Sequence, residues 1–208
     1  VNSKDFEKGA PVKMLEDYDG VIVPGGFGES GIEGKIKAIQ YVREHKIPYF
    51  GLCYGMQLMV IEYARNVLKL KSAHTTEIQK NSEDPVVDMM LEQKQHIADA
   101  KYGGTMRLGV YPAELKKGTI ARGAYKKAAI EERHRHRYEF NPEYRKEFTD
   151  AGMAIAGTSP DGNLVEIVEL VRHPWFVAVQ YHPEFKSKPH KPHALFKGFV
   201  EACLTRHQ

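Results

Sequence analysis

Ile47-Pro48-Tyr49-Phe50-Gly51-Leu52-Cys53-Tyr54-Gly55-Met56-Gln57 is the stretch from which the rest of this 208-residue chain can be read. The short apolar run bounded by Pro48 and Gly51 predicts a buried strand. Met56 to Leu68, thirteen residues rich in Leu, Met, Ile and Val and free of Gly and Pro, predict a helix. Cys53 lies between them with a glycine two positions to either side. This is the cysteine form of the G-x-S-x-G elbow, a strand, a sharp turn and a helix with a nucleophilic side chain at the apex. The glycines suit a turn too tight for a neighbouring Cβ. A helix beginning just after the cysteine sets free N–H groups beside the sulfur, an environment that suits a reactive thiol. Alone, the motif leaves two readings open, a nucleophilic cysteine and a buried structural one.

Two further stretches bear on that choice. Trp175 to Tyr181 predicts a strand that runs into His182-Pro183-Glu184. Residues two apart on a strand project to the same side, so Glu184 is expected to orient the His182 imidazole toward a thiol brought from elsewhere. Val21-Ile22-Val23-Pro24-Gly25-Gly26-Phe27-Gly28 predicts another strand entering a glycine turn, whose backbone N–H groups could hydrogen-bond a developing oxyanion. Nucleophile, base, orienter and oxyanion turn each fall at the C-terminal end of a predicted strand, where ligands bind in open parallel α/β sheets.

PGGFG (24–28), GLCYGMQ (51–57) and QYHPE (180–184) resemble the pattern of class I, triad-type glutamine amidotransferases. The runs Gly31–Lys35, Thr76-Glu77, Gly103–Gly109 (GGTMRLG) and Glu132–Tyr138 narrow the resemblance to the glutaminase domains of the CTP synthase family. The matches follow the family order over nearly the whole chain. The resemblance implies an α/β fold, an open and mostly parallel sheet flanked by helices in the flavodoxin-like manner. It implies a catalytic triad of Cys53, His182 and Glu184, with Gly26 and Tyr54 supplying oxyanion N–H groups. It also implies a glutamine site in which Glu77 takes the α-ammonium, Arg137 the α-carboxylate, and Gln57 belongs to the same pocket.

The same resemblance implies that ammonia released here passes to a synthetase domain that aminates UTP with ATP and Mg2+. The chain lacks a P-loop, so those nucleotides are expected outside it and no cofactor or metal is expected within it. The chain is therefore read as one glutaminase domain, residues 1–208, with the synthetase domain and the N-terminal βα unit lying elsewhere. The full-length enzyme is expected to be a homotetramer. Ser30 stands where the family pattern has arginine, in a loop the family associates with sensing GTP, which puts GTP activation in doubt and leaves the glutaminase chemistry untouched. Tyr54 stands where the family has leucine; a backbone N–H does not depend on the side chain, and the phenol is left to narrow the pocket or contact glutamine. Two other assignments stand beside this one: a glutaminase serving another acceptor, as in GMP or carbamoyl-phosphate synthesis, and a catalytically silent regulatory paralogue.

Composition sets the outer limits. At 42% hydrophobic and 27% charged residues the chain is an ordinary globular one, long enough for a single core. A net charge of +3 gives no general affinity for nucleic acid. No apolar run nears the ~20 residues of a membrane span. Cys53 and Cys203 make no disulfide framework, and a free thiol fits the reducing cytoplasm.

Elsewhere, Gly34 to His45 predicts a helix with Ile32, Ile36, Ile39 and Val42 on its buried face. Asn81 to Tyr102 is charged and low in pattern, and is read as a variable loop or an insertion. Glu131 to Tyr138, dense in charge, admits a nucleic-acid contact, an H-x-H metal pair, or a strand whose alternate side chains face a pocket. Glu131 and Glu132 weaken the first reading and the want of further ligands nearby the second; the resemblance favours the strand facing a pocket. Met153–Gly157 and Leu164–Val171 predict a hairpin. Ala194 to Leu204 predicts a helix with Leu195, Phe196, Phe199, Val200 and Cys203 on one face, while His190, His193 and His207 are read as inert surface residues.

Overall fold

Three short apolar segments, Val21–Val23 (β1), Tyr49–Leu52 (β2) and Phe176–Val179 (β10), pair in parallel in the order β1-β2-β10. They form the edge of a seven-stranded sheet in a computed structural model that describes residues 1–89 and 106–206. The sheet continues through Val165–Leu170 (β9), Met153–Thr158 (β8), Arg107–Leu115 (β5) and Ala129–His136 (β6). All of these later pairings are antiparallel, so the α/β sheet is mixed rather than mostly parallel. The reason is local. Ser159-Pro160-Asp161-Gly162 closes a tight turn between β8 and β9, and an equally short link joins β9 to β10. Neither is long enough for the crossover that a parallel neighbour requires.

The inner parallel strands β2 and β10 are covered on both faces, which is why they read as unbroken apolar runs, whereas Ile22 on the edge strand β1 is 41% exposed. Phe176 and Ala178 point into one core and Val177 and Val179 into the other. Ile32–Glu44 (α2) and Tyr54–Asn66 (α3) cover the first face; Ile120–Tyr125 (α4) and Ala194–Leu204 (α6) cover the second. As the periodicity of α2 predicts, Ile32, Ile36, Ile39 and Val42 are all buried. Helix α3 has no polar face over most of its length: every residue from Tyr54 to Ala64 is buried. A helix buried on all sides belongs between layers, and here the second layer is a small sheet of Ala73–Thr75 (β3), Asp84–Met89 (β4) and Tyr138–Phe140 (β7). Each fully buried Leu, Met or Ile along α3 contributes roughly 1.5–3 kcal/mol, so packing fixes this helix far more firmly than intrinsic propensity could. Ser3–Glu7 (α1) packs on α2, and Arg145–Asp150 (α5) buries Phe148 against Tyr63 and Phe140.

Two sequence expectations change here. Part of the segment read as a patternless loop is strand β4, paired with β3 and β7; residues 90–105 lie outside the described residues. On α6, Leu195 and Phe199 are buried as expected, but Val200 is 51% exposed, because the helix meets the sheet along a narrower stripe than its apolar residues span.

Candidate active site

The elbow at Cys53 is built by close approach. β2 ends at Leu52 and α3 begins at Tyr54, leaving Cys53 alone to turn the chain, at φ 48° and ψ −98°. Positive φ is costly for a residue with a Cβ and persists only where neighbouring structure dictates it. The Cys53 N–H donates to the Val179 carbonyl at 2.7 Å. A Cβ on Gly55 would lie 2.2 Å from the Val23 carbonyl oxygen, and one on Gly51 would lie within 3 Å of both Tyr49 and Ala178. The flanking glycines let three strands and a helix meet at one point. Cys53 is 5% exposed, and the buried Gln180 amide points its Nε2 toward Sγ at 3.7 Å.

His182 and Glu184 come together as expected but by a different device. Strand β10 ends at Val179, and Pro183–Lys186 form one 3-10 turn with His182 at its N-cap. The tight turn, not strand alternation, brings Glu184 Oε1 within 2.7 Å of His182 Nδ1. The His182 N–H donates to the Arg133 carbonyl at 2.8 Å, tying the turn to β6, and Phe185 stacks on the imidazole with ring centroids 4.9 Å apart. Burial alone would lower the His182 pKa; hydrogen bonding and charge from Cys53 and Glu184 outweigh it and push the pKa up to about 10. The imidazolium is thus the favoured form at neutral pH.

Cys53 and His182 open onto a cavity of about 490 Å3, whose lining also includes Gly26, Gln57, Glu77 and Arg137. Glu77 follows β3 and is half-buried; burial raises its pKa, against the Gly28 N–H donated to Oε1 at 3.2 Å. Arg137 occupies the bend between β6 and β7, exposed on the cavity rim. Gln57, on α3, donates Nε2 to the Tyr138 carbonyl at 2.8 Å. Gly26 presents its backbone at the mouth, and the first turn of α3 leaves the Tyr54 N–H without an intrahelical acceptor. The Tyr54 side chain does not line the cavity: it is buried and donates its hydroxyl to the Gly28 carbonyl at 2.6 Å.

Strand β6 bears out the alternating reading. Ile130, Glu132, His134 and His136 point inward while Glu131, Arg133 and Arg135 stay exposed. The two histidines do not form a metal pair; they hydrogen-bond each other, His134 Nδ1 to His136 Nε2 at 3.0 Å. His136 Nδ1 lies 3.1 Å from the Tyr138 carbonyl and must donate to it, so its Nε2 accepts from His134. His136 is then neutral, and burial, reinforced by Arg107, pushes the pKa values of both rings down, to about 2 for His134 and about 3 for His136. Among the described residues no cluster of three or more His, Cys, Asp or Glu could hold a metal ion.

Sequence reasoning missed two things here. His193, read as inert, is buried at the N-cap of α6 and shares the buried Glu132 with Tyr125. Only its position just before an apolar helical run signals this. The Arg107–Glu166 pair, 2.5 Å apart between β5 and β9, joins residues 59 positions apart and carries no local signal. Burial raises the Glu166 carboxyl pKa and Arg107 opposes it. Arg107→Met is therefore expected to destabilise the chain by about 3–5 kcal/mol in urea unfolding, the cost of stranding a buried carboxylate. A loss under about 1 kcal/mol would show that Glu166 is protonated in the folded chain.

A cysteine elbow, an imidazole paired to a carboxylate and an adjoining cavity, on this sheet, define a class of protein, and the family comparison agrees: residues 1–202 match the glutamine amidotransferase class-I model. The chain belongs to the class-I glutamine amidotransferase family. Within it, the chain is 57% identical over 205 residues to a CTP synthase of Clostridium acetobutylicum and 54% identical over 204 residues to one of Listeria monocytogenes. These alignments cover 99% and 98% of this chain and 38% of each relative, so the chain spans well under half of their length. The glutaminase domain of Trypanosoma brucei CTPS, solved with bound acivicin, superposes with a TM-score of 0.90 at 37% identity, over 98% of this chain and 79% of that one. A glutamine amidotransferase from Thermotoga maritima shares the fold, with a TM-score of 0.53 at 14% identity over 95% of this chain and 80% of that one. Among the described residues no helix is long and apolar enough to cross a membrane.

Proposed function

We propose that this chain is the glutaminase part of a CTP synthase, hydrolysing the side-chain amide of L-glutamine through a γ-glutamyl thioester on Cys53. The observation that carries the reading is the elbow cysteine opening onto the 490 Å3 cavity beside an imidazole held 2.7 Å from a carboxylate. His182 already holds the proton taken from the thiol when the sulfur attacks the amide carbon, and then gives it to the departing ammonia. Glu184 holds Nδ1 and stabilises the charged ring, as the aspartate does in serine triads. The N–H groups of Gly26 and Tyr54 receive the oxyanion. Water activated by His182 then cleaves the thioester, releasing glutamate and the free thiol.

Substrate recognition falls to the far side of the cavity. Glu77 pairs with the α-ammonium, and the planar guanidinium of Arg137 suits the α-carboxylate. Gln57, anchored to Tyr138, completes the glutamine site. The ammonia goes to a synthetase domain that aminates UTP with ATP and Mg2+ in the cytoplasm; the two CTP synthase relatives support this choice of acceptor.

Glutamate release from glutamine, with asparagine as the control substrate, tests the first half; glutamine-dependent conversion of UTP to CTP on adding a synthetase domain tests the second. Glu77→Gln is expected to raise KM for glutamine about 10- to 100-fold, since the loss of one charge-assisted pair costs roughly 1.5–3 kcal/mol. An unchanged KM would remove Glu77 from the ammonium site.

A further inference from the structure

The geometry points to a second task for Tyr54: we propose that its phenol is a positioning residue that latches the Gly25–Gly28 turn, and with it the Gly26 N–H, over Cys53. This rests on the oxyanion assignment above and adds a side chain to a site otherwise made of backbone.

Gly28 is held through both of its main-chain groups. Its carbonyl accepts the Tyr54 hydroxyl at 2.6 Å, and its N–H donates to Glu77 Oε1 at 3.2 Å. Its φ of 74° reverses the chain there, so the turn depends on these two tethers for its placement. The Tyr54 ring also lies directly beneath the oxyanion turn: a Cβ on Gly26 would sit 3.4 Å from Tyr54 Cδ1. From the other side, Lys35 on α2 stands over the ring, 5.6 Å from its centroid, and donates Nζ to the Ser30 carbonyl at 3.0 Å. One residue therefore controls both donors. Tyr54 gives its own N–H from the first turn of α3, and its side chain fixes where the second N–H stands. Burial first, with Glu77 and Glu29 adding to it, raises the phenol pKa, so the hydroxyl keeps the proton it donates. The side chain is 2% exposed and does not line the cavity, so it acts on the turn and not on the substrate.

Tyr54→Phe keeps the ring and deletes only the latch. Removing an oxyanion donor outright costs about 10²–10³ in kcat, and a loosened one is expected to lower kcat for glutamine hydrolysis about 10-fold, with KM within about twofold of wild type. The discriminating readout is alkylation of Cys53 by iodoacetamide, a displacement at a saturated carbon that develops no oxyanion. Its rate should be the same in both proteins. Tyr54→Leu, which loses ring and hydroxyl together, should fall further in kcat and again keep the alkylation rate. An unchanged kcat in Tyr54→Phe overturns the latch, and so does a parallel fall in alkylation, which would mean that the whole site has loosened. A wild-type chain that alkylates at Cys53 yet never turns over glutamine overturns the glutaminase reading itself, and the latch with it.

Discussion

Cys53→Ala is expected to lower glutamine hydrolysis by at least about 10⁴-fold, because an alanine at the elbow leaves substrate binding and the oxyanion donors but no atom to form the thioester. The same variant should refuse covalent labelling by a glutamine-like diazo-ketone, where wild type gains one adduct by intact-mass spectrometry. Cys203 serves as the internal control. It is a free thiol on α6, outside the cavity, half-buried, with its pKa raised by that burial. An adduct on Cys53→Ala would place the reactive sulfur at Cys203 and sink the elbow assignment. A wild-type chain that is folded, takes no adduct and releases no glutamate would favour a silent regulatory module. The fold should tolerate the change, since Cys53 turns the chain through its backbone and its N–H bond to Val179 survives the substitution.

Glu184→Gln is expected to cost about 10²- to 10⁴-fold in kcat, the upper figure being the loss when a buried triad carboxylate becomes an amide. The effect here should fall short of that limit, because the Glu184 side chain is 36% exposed and water partly replaces it. Its pH signature is more specific. Hydrogen bonding and charge from Cys53 and Glu184 overcome burial and raise the His182 pKa from 6.5 to about 10. A group whose pKa is raised on folding contributes stability that is present in full below its unfolded pKa, near 6.5, and is lost as pH rises through 10. The proton that His182 hands to ammonia disappears over the same upper range. Wild-type kcat should therefore decline on an alkaline limb near pH 10, and in Glu184→Gln that limb should move down toward neutrality. A limb that stays in place would show that Glu184 does not govern the imidazole.

Much of this was legible in the chain itself, and for a physical reason. Gly51, Cys53 and Gly55 announce the elbow because steric demand at a tight turn is met within five residues. The apolar runs that became β2 and β10 are visible because strands covered on both faces tolerate little else. The Cys, the His-x-Glu and the glycine turn each stood at the end of such a run, so the topology that pairs those strands also assembles the site.

Tertiary structure alone decided the rest, because the rest depends on contacts between residues far apart in sequence. The antiparallel pairing of β8 with β9 and of β9 with β10 followed from short links that closed as turns. The burial of Glu132 with His193, and of Arg107 with Glu166, joins segments about 60 residues apart, and no local pattern marks a polar residue whose partner lies that far away. His182 and Glu184 met on a 3-10 turn because the chain leaves the sheet at Val179, three residues before the histidine. Tyr54 could be counted in the sequence only as a departure from its family. Its hydroxyl acquires a role when folding brings the Gly28 carbonyl, 26 residues earlier, to 2.6 Å from it.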